Sequence, residues 1–101
     1  MEPLAVQQCV EVHQEISPIE KKIVEVTYDM KLYEDKITVK DYMYPITSIF
    51  DISYRKKEED GAMGYIYLHT NKGVRTYYIK EEPSEFVNAY FKLKRERPEL
   101  Q

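Results

Sequence analysis

The stretch MGYIYLHTNKGVRTYYIKEEPSEFVNAYFKL, residues 63–93, decides the fold. Two tyrosine-rich runs, residues 65–70 and 75–80, flank Asn71-Lys72-Gly73 and lead directly into an amphipathic pattern. Short β-prone runs separated by a glycine-bearing turn predict an antiparallel hairpin. A three-residue loop with Gly73 in the left-handed region would set Ile66 opposite Tyr78. A four-residue loop through Val74 instead sets Ile66 opposite Ile79 and Leu68 opposite Tyr77, gathering the aliphatic side chains on one face. We prefer the second register, because a one-residue slip carries a strand's whole apolar set to the wrong side.

The residues that follow read as a helix over 83–97. Pro83 suits a first helical turn and Glu85 the positive end of the helix dipole. Phe86, Val87, Tyr90, Phe91 and Leu93 form a stripe at helical spacing. Lys92, Lys94, Arg95 and Arg97 gather at the end where cations are favoured, and Pro98 stops the run. Burying Phe86, Tyr90, Phe91 and Leu93 contributes on the order of 6–12 kcal/mol before entropy, which is enough to dock the helix on a sheet.

Working back toward the N-terminus, residues 23–30 alternate, with Val24, Val26, Tyr28 and Met30 on one side and Glu25, Thr27 and Asp29 on the other. This is the pattern of a half-buried strand. Glu34-Asp35-Lys36 supplies a polar turn, and Ile37 and Val39 then mark a short second strand. Pro45 cannot donate to a central ladder, so the next strand is expected after it, with Ile46, Ile49, Phe50 and Ile52 on its buried side. The spacing of three among Ile46, Ile49 and Ile52 implies an irregular start or a bulge. The charged run 55–61 reads as a solvated hairpin tip.

Residues 1–19 fit two periods. Ala5, Cys9, Val12 and Ile16 make a helical stripe, whereas Leu4, Val6, Val10 and Val12 alternate as in a strand. The β-branched Val10 and Val12, and the turn-prone Ser17-Pro18 after them, favour an N-terminal strand or arm.

With 101 residues, the chain holds one hydrophobic core and is read as a single domain, 1–101. Hydrophobic residues at 43% and charged residues at 33% place it among folded globular chains. A net charge of −3 argues against nucleic acid, whose binding domains carry a basic footprint. The opening residues, with Glu2, Gln7, Gln8 and Glu11, lack the basic flank and apolar run of a secretory signal, so a cytoplasmic setting is expected. No stretch approaches the ~20 apolar residues that span a bilayer. Cys9 is the single cysteine, which excludes an intramolecular disulfide and fits a reducing compartment.

Residue patterns that would carry chemistry are sparse. Cys9, His13 and His69 make a poor metal-ligand set, since on a strand Cys9 and His13 point the same way but lie too far apart to share an ion easily. Gly61, Gly64 and Gly73 sit in or near hairpin turns rather than in a phosphate-binding loop. Glu58-Glu59 and Glu81-Glu82 occupy loop or cap positions, where solvated charge is the ordinary role. The expectation is therefore no enzyme, no cofactor, no metal and no small-molecule substrate.

The order of elements resembles the small pleckstrin-homology-like domains of bacteria. The resemblance rests on residues 23–30, 37–39, 46–54, 65–70 and 75–80 and on the helix from Pro83, about three quarters of the chain. It implies a mainly β fold with one C-terminal α-helix: a bent antiparallel sheet or partly open barrel of about 5–7 strands that the helix caps. It also implies a binding or assembly role. Lipid-binding members present several basic residues around the loop between their first strands, whereas here Lys31 and Lys36 share that loop with Glu34 and Asp35. Phosphoinositide binding is disfavoured on that ground.

Ten tyrosines and no tryptophan are the enrichment that asks for a cause. In the preferred register Tyr65, Tyr67 and Tyr78 lie opposite the aliphatic face, accompanied by His69 and Thr76. Tyrosine buries large area at low entropic cost and keeps a hydroxyl for the rim, which suits a contact surface. Tyr65, Tyr67, Tyr78 and His69 are thus the candidate partner-binding residues, for a protein partner or for self-association. The competing expectation is that sheet curvature or the N-terminal segment covers this face. Two other functions compete: a weak membrane-surface adaptor using Lys92, Lys94, Arg95 and Arg97, and a small-ligand carrier.

Overall fold

The computed structural model describes residues 2–56 and 64–100. Seven antiparallel strands and one long helix follow in the order β1 (Ala5–Ile16), β2 (Lys21–Leu32), β3 (Lys36–Val39), β4 (Tyr42–Pro45), β5 (Ile49–Arg55), β6 (Gly64–Thr70), β7 (Gly73–Ile79) and α1 (Ser84–Glu96). Short 3-10 turns cover Ile46–Ser48 and Pro98–Leu100. The sheet runs β4-β3-β2-β1-β7-β6-β5 and is not closed, so the fold is mainly β with a terminal helix. Most of the charged run expected as a hairpin tip falls on 57–63, outside the described residues.

The N-terminal segment is a strand, paired with β2 along its whole length from Ala5↔Leu32 to Ile16↔Lys21. Ser17 ties the turn between them: its Oγ donates to the Glu20 carbonyl at 2.9 Å and accepts from the Glu20 amide at 3.0 Å. The body of the fold grips only one end of this hairpin. β3 pairs with β2 at 30–32, and the ladder between β1 and β7 consists of Val10↔Tyr78. Residues 11–27 therefore form a two-stranded ribbon that projects from the sheet. It stretches the molecule to 56 × 29 × 27 Å, with a radius of gyration of 15.4 Å, against about 13 Å for a compact chain of this length.

This projection corrects the expectation that residues 23–30 are half buried throughout. Met30 and Leu32 are fully buried, while Val26 is 44% and Ile23 72% exposed, because among the described residues no helix or strand packs over the ribbon.

β4 is a second correction. The sequence reading starts a strand after Pro45, yet Tyr42–Pro45 pairs with Lys36–Val39, from Lys36↔Pro45 to Val39↔Tyr42. Proline is tolerated there because β4 is the sheet's outermost strand, so no ladder bond is lost. The irregular start expected near Ile46 is the 3-10 turn Ile46–Ser48 followed by a register shift between Ile49 and Asp51. Ile46, Ile49 and Ile52 point into the core as expected. Phe50, expected beside them, is 58% exposed, because the shift turns it outward.

In the β6–β7 hairpin, Ile66 faces Tyr77 and Leu68 faces Arg75. The preferred register placed Ile79 and Tyr77 there. Only Asn71 and Lys72 separate the paired Thr70 and Gly73, and Gly73 takes φ +112°, a backbone conformation that L side chains rarely adopt. Thr70 locks the tight turn, its Oγ1 donating to the Gly73 carbonyl at 2.7 Å and accepting from the Lys72 amide at 3.1 Å. At the far end of β6, a Cβ on Gly64 would lie 2.7 Å from the Arg55 carbonyl, so the close approach of β5 and β6 requires glycine there.

The core joins Cys9 of β1, Met30 and Leu32 of β2, Ile37 and Val39 of β3, and the inward residues of β5–β7 to the buried face of α1. Phe86, Val87, Tyr90 and Leu93 are the buried residues of that helix, matching the predicted stripe apart from Phe91, which is half buried. Polar bonds fix the helix at two places. Tyr90 donates its hydroxyl to the Ile49 carbonyl at 3.2 Å and Lys94 donates to the Phe50 carbonyl at 2.7 Å, while Arg97 reaches the Glu34 carbonyl between β2 and β3. The helix thereby clamps β5 to the β2–β3 turn, on opposite halves of the sheet.

Candidate functional site

Two surfaces stand out, one on a sheet face and one at the edges of two strands. The first is the outer face of β5, β6 and β7. Cross-strand pairs set Tyr65 beside Tyr78 and Arg55, Tyr67 beside Thr76 and Ser53, and His69 beside Val74 and Asp51. The predicted residues Tyr65, Tyr67, Tyr78 and His69 therefore do share one face. Tyr65 stacks on Tyr67 with ring centroids 6.3 Å apart and meets Tyr78 edge-on at 5.2 Å. His69 Nε2 shares a 2.8 Å hydrogen bond with Ser53 Oγ, which fixes the imidazole to the neighbouring strand.

Tyr65, Tyr67 and His69 are half buried and Tyr78 is 46% exposed. No helix crosses this face among the described residues. The N-terminal strand borders it without covering it: Val10, paired with Tyr78, is buried there, and Val12 beyond it is exposed. Lys80 forms an ion pair with Glu25 across the intervening β1. The face continues onto the ribbon through Val12, Ile16 and Ile23, whose positions in the β1–β2 register share one side.

The second surface is a cleft of about 760 Å³ between the edges of β4 and β7. The β3–β4 hairpin curls over the sheet until its turn residue Lys40, at φ +54°, pairs with Glu11 and sits 4.4 Å above the Tyr28 ring. Tyr44 then meets Tyr77 hydroxyl to hydroxyl at 2.6 Å. Tyr28 packs edge-on against Tyr77 at 6.4 Å, and Tyr42 stacks on Tyr44 at 6.4 Å. Burial pushes the Tyr77 phenol far above its ordinary pKa, and the bond to Tyr44 adds to the rise. Tyr28 is pushed up to about 12, again mainly by burial. These phenols stay neutral and act as hydrogen-bonding, apolar-bodied groups.

Sequence reasoning missed this cleft. The signal was the alternation Tyr42, Met43, Tyr44, which Pro45 masked.

The cysteine is inert. Cys9 is fully buried, its thiol lies 3.7 Å from the Gln7 carbonyl, and burial raises its pKa to about 12. His13 shares the same side of β1 but is exposed and contacts Glu11 at 3.4 Å. Among the described residues, no group of three or more His, Cys, Asp or Glu could hold a metal ion. No helix among them is long and apolar enough to cross a membrane. Of the basic residues at the end of α1, Lys94 and Arg97 are engaged with backbone carbonyls, and Arg97 also bonds Glu99 at 2.7 Å.

Comparison with protein-family models, with curated proteins and with solved structures returns no significant match.

Proposed function

We propose that the chain is a non-catalytic interaction module of pleckstrin-homology-like build that binds a protein partner or a second copy of itself through the outer face of β6 and β7. The open antiparallel sheet with its C-terminal helix supports the fold assignment. The observation that carries the binding role is the three-ring cluster of Tyr65, Tyr67 and Tyr78 on a face that no described element covers. Rigid aromatic side chains with polar tips are the groups that dominate binding energy when a partner desolvates them. The exposed Val12 and Ile23 lie on the same side of the β1–β2 register, so apolar side chains continue along the ribbon beyond the tyrosine cluster. A cytoplasmic setting suits the single buried thiol.

The membrane-adaptor alternative draws less support, since Lys94 and Arg97 are turned onto the protein's own carbonyls.

The test is the double variant Tyr67→Ser, Tyr78→Ser, followed by sedimentation equilibrium, pull-down from the source cell and thermal melting. Association, with itself or with one specific partner, should weaken about tenfold or more while the thermal midpoint moves by no more than about 2 °C. A midpoint lowered by several degrees with association unchanged would return these tyrosines to an internal packing role.

A further inference from the structure

The cleft between β4 and β7 is bounded by two strand edges rather than by one sheet face. β4 pairs with β3 on one side and is the outermost strand on the other. β7 pairs with β6 throughout, but toward β1 its ladder holds only Tyr78, so its edge from 73 to 77 is unmatched among the described residues. Consecutive residues line the cleft from each: Tyr42–Pro45 from β4 and 74–77 from β7. Side chains of successive strand residues alternate between faces, so a cavity that touches every residue of a run lies along the strand's edge. Along such an edge, alternate backbone N–H and C=O groups point outward without a partner strand.

Its chemistry is equally specific. The Tyr44–Tyr77 hydroxyl bond spans the two strands and fixes the floor, and Tyr42 stacked on Tyr44 gives an aromatic wall. Met43 and Val74, 60% and 54% exposed, add apolar surface at the rim. Lys72 and Arg75 are the charged residues of the lining, which contains no carboxylate, and neither forms an ion pair among the described residues. In a chain of net charge −3 this is a local reversal of sign. A volume of about 760 Å³ lies within the range of ordinary ligand-binding clefts.

We propose that this cleft accepts an extended, anionic peptide segment of a partner protein, which adds as a short strand along the β4 edge. Four residues of such a strand span roughly 13 Å. Its backbone pairs with residues 42–44, where Pro45 ends the donor series. Alternate side chains face Tyr42, Tyr44 and Tyr77, and the intervening acidic ones face Lys72 and Arg75. The recognised sequence therefore alternates apolar with Asp or Glu, and main-chain bonds supply the rest of the affinity. This site is separate from the outer tyrosine face and stands whether or not that face binds.

The test uses fluorescein-labelled hexapeptides of alternating Val and Glu, the same peptides with Lys in place of Glu, and the Glu peptides N-methylated at alternate amides. Binding is read by anisotropy and by amide shifts on the intact labelled protein. Expected are binding of the Glu peptides at submillimolar concentration and shifts confined to 42–45 and 72–77. The N-methylated peptides, and the double variant Lys72→Glu, Arg75→Glu, should each bind roughly tenfold more weakly or worse. Both substituted residues are exposed, so the fold is kept. The double variant Tyr67→Ser, Tyr78→Ser should bind the Glu peptides as the wild type does. Equal binding of Lys peptides, indifference to N-methylation, or shifts on another face overturns the proposal. So does occupancy of the cleft by dodecanoate where no peptide binds, which would make it a site for small amphiphiles.

Discussion

The ribbon of residues 11–27 and the helix-capped body are built from similar residues and have opposite fates. Ile23 and Val26 in the ribbon are 72% and 44% exposed, whereas Ile66, Leu68 and Ile37 in the body are fully buried. β-propensity is alike in the two, so what separates them is a further layer: α1 lies on the body, and no described element packs over the ribbon. An isolated two-stranded hairpin is at best marginally stable in water. The ribbon is held by continuing, without a break, two strands whose other ends sit in the core at Cys9, Met30 and Leu32. Burial, not strand-forming tendency, sets where this protein's stability resides.

The sharpest way to break that contrast is to truncate matched side chains on each side of it. Phe86→Ala, at a fully buried residue of the helix, should cost about 3–5 kcal/mol in urea denaturation, and Leu93→Ala about 2–4. Ile23→Ala should stay within about 0.5 kcal/mol. A cost above about 1.5 kcal/mol at Ile23 would mean that a partner or second copy already covers the ribbon in solution.

A second measurement follows from the protonated groups gathered in the body. Burial raises Cys9 from 9.0 to about 12, and Tyr28 and Tyr90 from 10.0 to about 12. Each folded-state value lies above the unfolded one, so the folded chain holds these protons more tightly and their contribution is complete below about pH 9. It is lost as pH rises from about 9 to 12. Denaturation midpoints should be level into mildly alkaline solution and then decline across that window, with Cys9→Ala removing the earliest part of the decline. Stability that rises between pH 9 and 11 would contradict the burial of these groups.

The smallest effect is kinetic. Amide hydrogen exchange should release the ribbon's amides before those of β6, although both are strand residues. Equal protection in the two would erase the distinction between them.

The same contrast explains how much could be read from the chain alone. The helix was legible because a single stripe, Phe86 to Leu93, faces a single neighbouring surface. The outer tyrosine face was legible for a subtler reason. The β6–β7 register differs by two residues from the one preferred on sequence, and a slip of two leaves every side chain on its own face. Tyr65, Tyr67 and Tyr78 thus share a face in either pairing. Illegible were the features that depend on distant parts of the chain. Alternation in residues 23–30 shows a strand but cannot show that its first half has no neighbour. Pro45 forbids a central strand, yet whether a strand is central depends on the order of the whole sheet. Phe50 has the hydrophobicity of a core residue and is turned outward by a one-residue irregularity. The cleft joins residues about thirty positions apart through a curl of β3 and β4 that no local pattern encodes.

Pro45 has a further consequence, for solubility. An open sheet exposes two terminal strands, and each can recruit further chains into a growing stack. Here one terminal strand is four residues long and ends in proline, and the other, β5, carries the register shift at Ile49 and Asp51. Both are too short or too irregular to template a long ordered assembly. The side of β2 from 21 to 29 that is unmatched among the described residues is longer, and Lys21 and Lys22 stand at its tip. Replacing those two lysines with apolar residues would remove the charge that guards this edge and favour fibrous aggregation from there rather than from either end of the sheet.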